Sequence, residues 1–331
     1  MKHVDKLLIG AAACVFAFGS AQAQLNKTNL TVCGASPGGM WSLVGAGVDS
    51  AIKTAHPGSA ATYQTSSGGP ANVVQVTAAK CQLGIANDGD LAAALAAKAP
   101  FKQKYDGMRA IGVMFDWLPV MWVARKDFAT KYGIKSLQDL VDKKPPVRLV
   151  FNRRGLLTSD ITDAQLKALG VSAAEIKRWG GTLQYQASGE QTNLMKDGRV
   201  DVMANTIFEG HRTLAEIAMA TDLVMLSTPK VANDAAIAEY YVKPWVIKKE
   251  KHAWQTEDAV TVTTGVVLFA DKSMSDATAY DITRSIINHP DKVRAVSAAM
   301  APFKPAIMTD QKVVPFHPGA LKAYREAGLM K

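Results

Sequence analysis

Leu30-Thr31-Val32-Cys33-Gly34-Ala35-Ser36-Pro37-Gly38-Gly39-Met40-Trp41 begins with four residues suited to a buried strand and passes through a glycine-rich loop. It then enters a helix whose apolar positions Trp41, Val44, Val48 and Ile52 fall three or four residues apart. The same order recurs. Residues 61–65 form a strand, followed by Ser66-Ser67-Gly68-Gly69 and by Pro70, whose missing N–H costs nothing in a first helical turn. Residues 82–86 form another, followed by Asn87-Asp88-Gly89-Asp90 and a helix over 91–98. After Pro145-Pro146 the rhythm restarts with a strand over 147–151 and a loop over 152–159. A helix capped by Ser159 or Asp160 runs to Gly170. A strand over 183–186, the capping-box pattern Ser188-Gly189-Glu190-Gln191, a strand over 200–205 and a loop over 206–210 complete the block. Short apolar strands alternating with helices specify an α/β fold with parallel sheets.

Two such blocks, one before about residue 118 and one from about 136 to 228, imply two lobes. The apolar stretches 118–124 and 263–270 are strands able to cross between them, and the C-terminal helices return to the first block. The expected division is 24–118 with 245–331 as lobe I and 119–244 as lobe II, with a cleft between. Helices opening near Gly39, Pro70 and Gly89 aim free amides and positive dipole ends at one place. That place lies outside the carboxyl ends of the strands, where open α/β sheets bind ligands.

The N-terminus sets the compartment. Lys2, His3 and Lys6 precede an apolar run over 7–18, and Ala21-Gln22-Ala23 supplies a cleavage site, so residues 1–23 read as a secretory signal with the mature chain starting at Gln24. A lipoprotein cut before Cys14 would strand Val15-Phe16-Ala17-Phe18 outside the signal. Removing the leader takes Lys2, Lys6 and Asp5 with it and lowers the formal charge from +9 to +8. The remaining basic residues are scattered among acids, which suits small anionic solutes rather than nucleic acid. Cys33 and Cys81 then remain. With one late in its strand and the other at the start of its own, they are expected to lie at opposite sheet ends as two free thiols, beyond the roughly 7 Å that a disulfide spans.

Gly34-Ala35-Ser36-Pro37-Gly38 matches the nucleophile-elbow pattern of hydrolases, but Pro37 has no N–H to give the oxyanion hole. No enzymatic role is expected from Ser36. His56, His211, His252, His289 and His317 include no i, i+4 pair, and no C-x-x-C or nucleotide fingerprint occurs, so neither metal nor cofactor is expected. Arg153-Arg154 stands at the mouth of a second-block strand. Paired arginines are commonly solvated surface, yet at a strand mouth a guanidinium fork suits a carboxylate.

Several segments together resemble the TAXI-type solute-binding subunits of TRAP transporters. They are Ser36-Pro37-Gly38-Gly39-Met40-Trp41, Thr65-Ser66-Ser67-Gly68-Gly69-Pro70-Ala71-Asn72, Gly84-Ile85-Ala86-Asn87-Asp88 and the closing Pro315-Phe316-His317-Pro318-Gly319-Ala320. The resemblance implies a two-lobed periplasmic binding fold of type II kind, with no catalysis. It also implies an integral-membrane TRAP partner driven by an ion gradient, and a ligand such as glutamate, 2-oxoglutarate or another short dicarboxylate. On that basis Ser36, Gly38, Gly39, Trp41, Ser67, Gly68, Asn72, Asn87 and Asp88 are expected to line one wall of the cleft. Arg153, Arg154, Thr158, Phe208 and Glu209 line the other, in a monomer. Two departures stand in the second wall: Asn152-Arg153-Arg154-Gly155 replaces the family's glycine-threonine loop, and Phe208-Glu209-Gly210-His211 replaces its small residues and proline. A binding protein of an ATP-driven transporter or a sensor kinase is the alternative that shares this fold.

Overall fold

The computed structural model describes residues 29–35 and 40–331. The leader with its cleavage point, and Ser36, Gly38 and Gly39, lie outside the described residues.

The first half runs β1 (Asn29–Cys33), α1 (Met40–Ala55), β2 (Ala60–Gln64), α2 (Gly69–Thr77), β3 (Leu83–Asn87), α3 (Asp88–Leu95) and the long β4 (Met108–Arg125). Next come α4 (Lys126–Tyr132), α5 (Leu137–Lys143), β5 (Arg148–Phe151), α6 (Leu157–Ala168), α7 (Ala173–Arg178), β6 (Thr182–Tyr185), α8 (Ser188–Lys196), β7 (Val202–Thr206), α9 (Arg212–Ala220), β8 (Leu223–Leu226) and α10 (Lys230–Tyr240). The chain ends with β9 (Lys243–Ile247), β10 (Ala259–Asp271), α11 (Asp276–Asn288), α12 (Pro290–Arg294) and α13 (Pro318–Glu326).

The strands follow the order β2-β1-β3-β10-β4-β7-β5-β6, with β8 on β4 and β9 on β10. The triplets β2-β1-β3 and β7-β5-β6 are parallel, as expected. The strands between them are not. β10 pairs antiparallel with β3 and with β4, and β4 pairs antiparallel with β7. A strand leaving one half and a strand returning to it run in opposite directions, so side by side they pair antiparallel. These are the crossing strands that the apolar stretches announced, and the two-lobed α/β architecture follows from them.

Both faces of each half are covered. On β10, Val266, Leu268 and Ala270 enter the cluster under α1 and α11, while Val267 and Phe269 face the cluster holding Val73, Val76 and Leu91 of α2 and α3. On β4, Val120 and Trp122 face one cluster of the second half, and Met121 and Val123 the other. Burial on both sides explains why these strands read as largely apolar runs rather than as alternating ones.

Four local expectations change. α6 starts at Leu157 with Leu156 at its N-cap, because Ser159 turns its hydroxyl back to donate to the carbonyls of Arg153 (2.9 Å) and Leu156 (2.7 Å). α3 starts at Asp88, three residues early, since the Asp90 carboxylate accepts from the Asn87 N–H at 3.2 Å and so caps the first turn. α8 has Ala187 at its N-cap, so the capping box does not form, and Ser188 Oγ instead accepts from Asn205 Nδ2 at 3.1 Å. Finally, Cys33 and Cys81 are joined by a disulfide, with Cα atoms 5.9 Å apart. β3 is staggered, so that its start lies beside the end of β1, with Val32 opposite Leu83 and Cys33 opposite Gly84. The stagger places the approach to β3 next to Cys33.

The closing Phe316-His317-Pro318-Gly319 segment is structural. His317 is buried, its N–H donates to Ala110 of β4 at 2.9 Å, and its Nδ1 accepts from Gly319 N–H at 3.3 Å as the N-cap of α13. Tyr324 then donates to the carbonyl of Ile111, locking α13 against the crossing strand.

Candidate functional site

The carboxyl ends of the two parallel triplets meet at the first turns of α2, α3 and α6. Gly68, at the N-cap of α2, has φ 110°, an angle that disfavours any side chain. A Cβ there would lie 3.7 Å from Leu156 Cδ2, the N-cap side chain of α6. Two helix openings from opposite halves therefore face each other. Neither cap side chain can accept a hydrogen bond, so the first-turn N–H groups of Gly69 and Ala71, and of Leu157 and Thr158, have no acceptor within their helices. A third approach lies alongside. A Cβ on Gly89 of α3 would come within 2.7 Å of the Tyr240 carbonyl and 3.0 Å of Leu157 Cδ1.

In the first wall Ser67 is exposed at the loop tip and Gly68 buried beneath it. Asn72 is fully buried, and its amide holds the wall together. Nδ2 donates to the carbonyls of Gly34 (2.8 Å) and Ile85 (2.7 Å), and Oδ1 accepts from Ser66 Oγ at 2.5 Å. Asn87 is half-buried between Asp90 and Thr264. Asp88 turns toward β10, where only glycine at position 265 leaves room for its carboxylate. Trp41 is half-buried against the core under α1.

In the second wall Arg153 and Arg154 are both exposed. The Arg154 guanidinium carbon sits 3.8 Å from the centre of the Tyr185 ring, and the Tyr185 hydroxyl donates to Asp163 at 2.7 Å. Thr158 is buried and shares a hydrogen bond with Thr206 at 2.8 Å. Phe208 is buried edge-to-face on Phe115 of β4, in the first-half core. Glu209 is already engaged: it accepts from Trp245 Nε1 at 2.9 Å and pairs with Lys251 at 3.4 Å. The structure thus brings Gly68, Arg153, Arg154 and Thr158 to the facing helix openings, and sets Asn72, Phe208 and Glu209 into internal contacts. Leu156, Tyr185, Asn152, Ser188, Gln191 and Asn205 were not singled out from sequence as site residues. Their position at the ends of β5, β6 and β7 was the available signal.

Electrostatics around α3 are unusual. Burial raises the Asp88 and Asp90 carboxyls to about 6, with the Lys243 charge opposing the rise at Asp88 and the Asn87 N–H opposing it at Asp90. Burial also raises Asp160 and Asp163 of α6, against the pull of Arg154. For Asp88 the consequence has a definite sign. The folded chain holds its proton up to about pH 6, whereas an unfolded aspartate releases it near 4, so this group's contribution to stability falls as pH rises between those values. Asp88→Asn is expected to raise stability at pH 7.5 by about 2–3 kcal/mol and at pH 4.5 by less than about 1 kcal/mol. Urea melts at both values check this, and equal effects at the two would refute the raised pKa.

Among the described residues no group of His, Cys, Asp and Glu is arranged to hold a metal, and no helix is long and apolar enough to cross a membrane. A shallow concavity of about 560 Å³, lined by Lys126, Asp127, Thr130, Lys131, Thr221 and Asp222, lies at the opposite end of the second half, where β4 ends and β8 begins.

A family model described as the NMT1-like family matches residues 32–328. No curated protein matches the chain. Among solved structures, MatC from Rhodopseudomonas palustris with bound malate aligns with a TM-score of 0.54 at 13% identity, over 92% of this chain and 99% of that one. The periplasmic binding protein BugD gives 0.52 at 14% identity, over 92% and 98%. A second R. palustris protein, solved with adipate, gives 0.51 at 13% identity, over 92% and 95%. At such identities the likeness is one of fold.

Proposed function

Because the chain belongs to the NMT1-like family and has the fold of the periplasmic binding proteins, we propose that it captures a small organic acid between its lobes and delivers it to a membrane transporter. The lobes are 24–118 with 245–331, and 119–244, and the protein acts in the periplasm after its leader is removed. It binds without turnover.

One observation carries this assignment: the uncapped first turns of α2 and α6 face each other from opposite halves, with Arg153 and Arg154 beside them. Helix N-termini bind carboxylates through free N–H groups and dipole ends, and a guanidinium adds a charged fork. A molecule with two anionic ends would then be held by both lobes. That malate and adipate occupy proteins of like fold supports a dicarboxylate. The finer assignment, a TRAP transporter as partner and a five-carbon ligand such as 2-oxoglutarate or glutamate, rests on the TAXI-like segments. In it Ser36, Gly38, Gly39, Trp41, Ser67, Gly68, Asn87 and Asp88 flank one end of the ligand, and Arg153, Arg154 and Thr158 the other.

Calorimetry with 2-oxoglutarate, glutamate, succinate and a neutral amino acid tests the proposal. At least one diacid is expected to bind in the micromolar range or tighter, and the scattering radius is expected to shrink on binding as the lobes close. Binding of the neutral compound alone would overturn it.

A further inference from the structure

At the ends of β5, β6 and β7 a chain of side-chain amides has a direction that can be read from its first member. The N–H of Arg153, which can only donate, reaches Asn152 Oδ1 at 2.8 Å. That fixes which end of the Asn152 amide is oxygen, so Nδ2 donates onward to Asn205 Oδ1 at 3.0 Å. Asn205 Nδ2 in turn donates to Gln191 Oε1 at 2.9 Å and to Ser188 Oγ at 3.1 Å. The chain therefore ends in the NH₂ group of Gln191. This group is fully buried and has no hydrogen-bond partner in the protein. Flipping Gln191 alone would set two NH₂ groups against each other, and flipping the others would break the bond from Arg153.

The surroundings also offer donors. Gln191 lies in the first turns of α8, a nine-residue helix whose N-cap, Ala187, has no side-chain acceptor. The N–H groups of Ser188, Gly189 and Glu190 thus have no intrahelical partner. Ser188 Oγ already accepts from two amides, at 3.1 and 3.4 Å from Asn205 and Asn152, so what its hydroxyl can still offer is its proton. Ser188 is exposed, and a Cβ on Gly189 would meet nothing within 4 Å, so space is open beside this turn.

We propose that the first turn of α8 and the Gln191 amide form a subsite of the cleft that presents only donors. It takes an uncharged or anionic acceptor oxygen of the solute, a carboxylate or carbonyl, and rejects an ammonium. This rests on the solute-binding function and extends it: the second lobe holds the solute through neutral amides as well as through its arginines. A buried donor left unpaired is costly, and an oxygen from the solute supplies the missing partner when the lobes close.

Two variants and one structure test the proposal, with 2-oxoglutarate as probe. Gln191→Glu keeps the oxygen that Asn205 needs and replaces only the unpaired NH₂ by a second acceptor. It is expected to weaken 2-oxoglutarate binding more than tenfold. Gln191→Met removes both groups and is expected to weaken binding about threefold to tenfold; it also takes away the acceptor that Asn205 Nδ2 uses, so the unfolding midpoint is expected to fall as well. Unchanged affinity in both variants overturns the subsite, as does a lowered midpoint in Gln191→Met with full affinity. The crystal structure of the protein, as purified and with 2-oxoglutarate added, decides independently of affinity. An acceptor atom of a bound small molecule within about 3.2 Å of Gln191 Nε2 supports the proposal, while a water or a protein atom in that place overturns it. If a carboxylate sits between α2 and α6 while Gln191 meets water, only this inference fails. If no small molecule occupies the cleft, the binding function fails with it.

Discussion

Replacing Arg153 and Arg154 together by alanine is expected to weaken dicarboxylate binding by well over tenfold while leaving the unfolding midpoint within a degree or two of wild type. Both side chains are exposed, so their loss leaves no cavity, and surface changes of this kind commonly stay within about 0.5 kcal/mol of stability. The effect on binding comes from closure. Truncating one partner of a charge pair that becomes buried costs about 2–5 kcal/mol, much of it the penalty of leaving the other charge unpaired. The single variants should differ. Arg154 is already placed over the Tyr185 ring, with Tyr185 anchored by Asp163, so its fork is pre-oriented. Arg153 uses its backbone N–H to start the amide chain, a bond that alanine keeps. The larger single loss is therefore expected for Arg154→Ala. Titration of wild type and the three variants with 2-oxoglutarate and a neutral amino acid settles the point. The carboxylate clasp is wrong if the double variant binds the neutral compound as well as wild type does and neither protein binds the diacid.

Removing the disulfide by Cys33→Ala with Cys81→Ala is expected to destabilise the chain by about 2–4 kcal/mol. Closing a loop of 48 residues restricts the unfolded chain, and the entropic estimate for that length is about 4 kcal/mol, before any loss of packing at two buried sites. Alanine avoids introducing a buried hydroxyl, which serine would. Urea midpoints of the double variant and of wild type, with and without reductant, give the size of the effect. Peptide mapping after alkylation in denaturant without reductant gives the linkage. Alkylation of both cysteines in the unreduced protein would show that no bond forms.

Much of the fold was legible because it depends on short-range pattern. The alternation of apolar strands with helices, the Gly-Ser loops at strand ends and the glycine after α6 are signals within ten residues, and each corresponds to an observed element. The crossing strands were legible as well, since burial on both faces leaves a mostly apolar run in residues 118–124 and 263–270. Where sequence misled, a distant partner decided the outcome. Ser159 is the local exception: it reads as a cap, but its hydroxyl turns back to the carbonyls of Leu156 and Arg153, three and six residues earlier. Ser188 and Gln191 read as a capping box, but Asn205, on a strand that folds back beside α8, takes both oxygens. The stagger between β1 and β3, which no local pattern encodes, brings Cys33 to Cys81.

The candidate site divides the same way. Sequence by itself determined that small residues open helices at the ends of parallel strands, and that two arginines stand at one such end, because backbone amides and charged side chains declare themselves by residue type. Only the tertiary structure decided that the openings of α2 and α6 face each other, that Phe208 belongs to the core and Glu209 to Trp245 and Lys251, and that Gln191 ends a chain of amides with a donor to spare. The physical reason is that a hydrogen bond between side chains depends on distances of about 3 Å across the fold, and such distances are set by the packing of strands far apart in sequence.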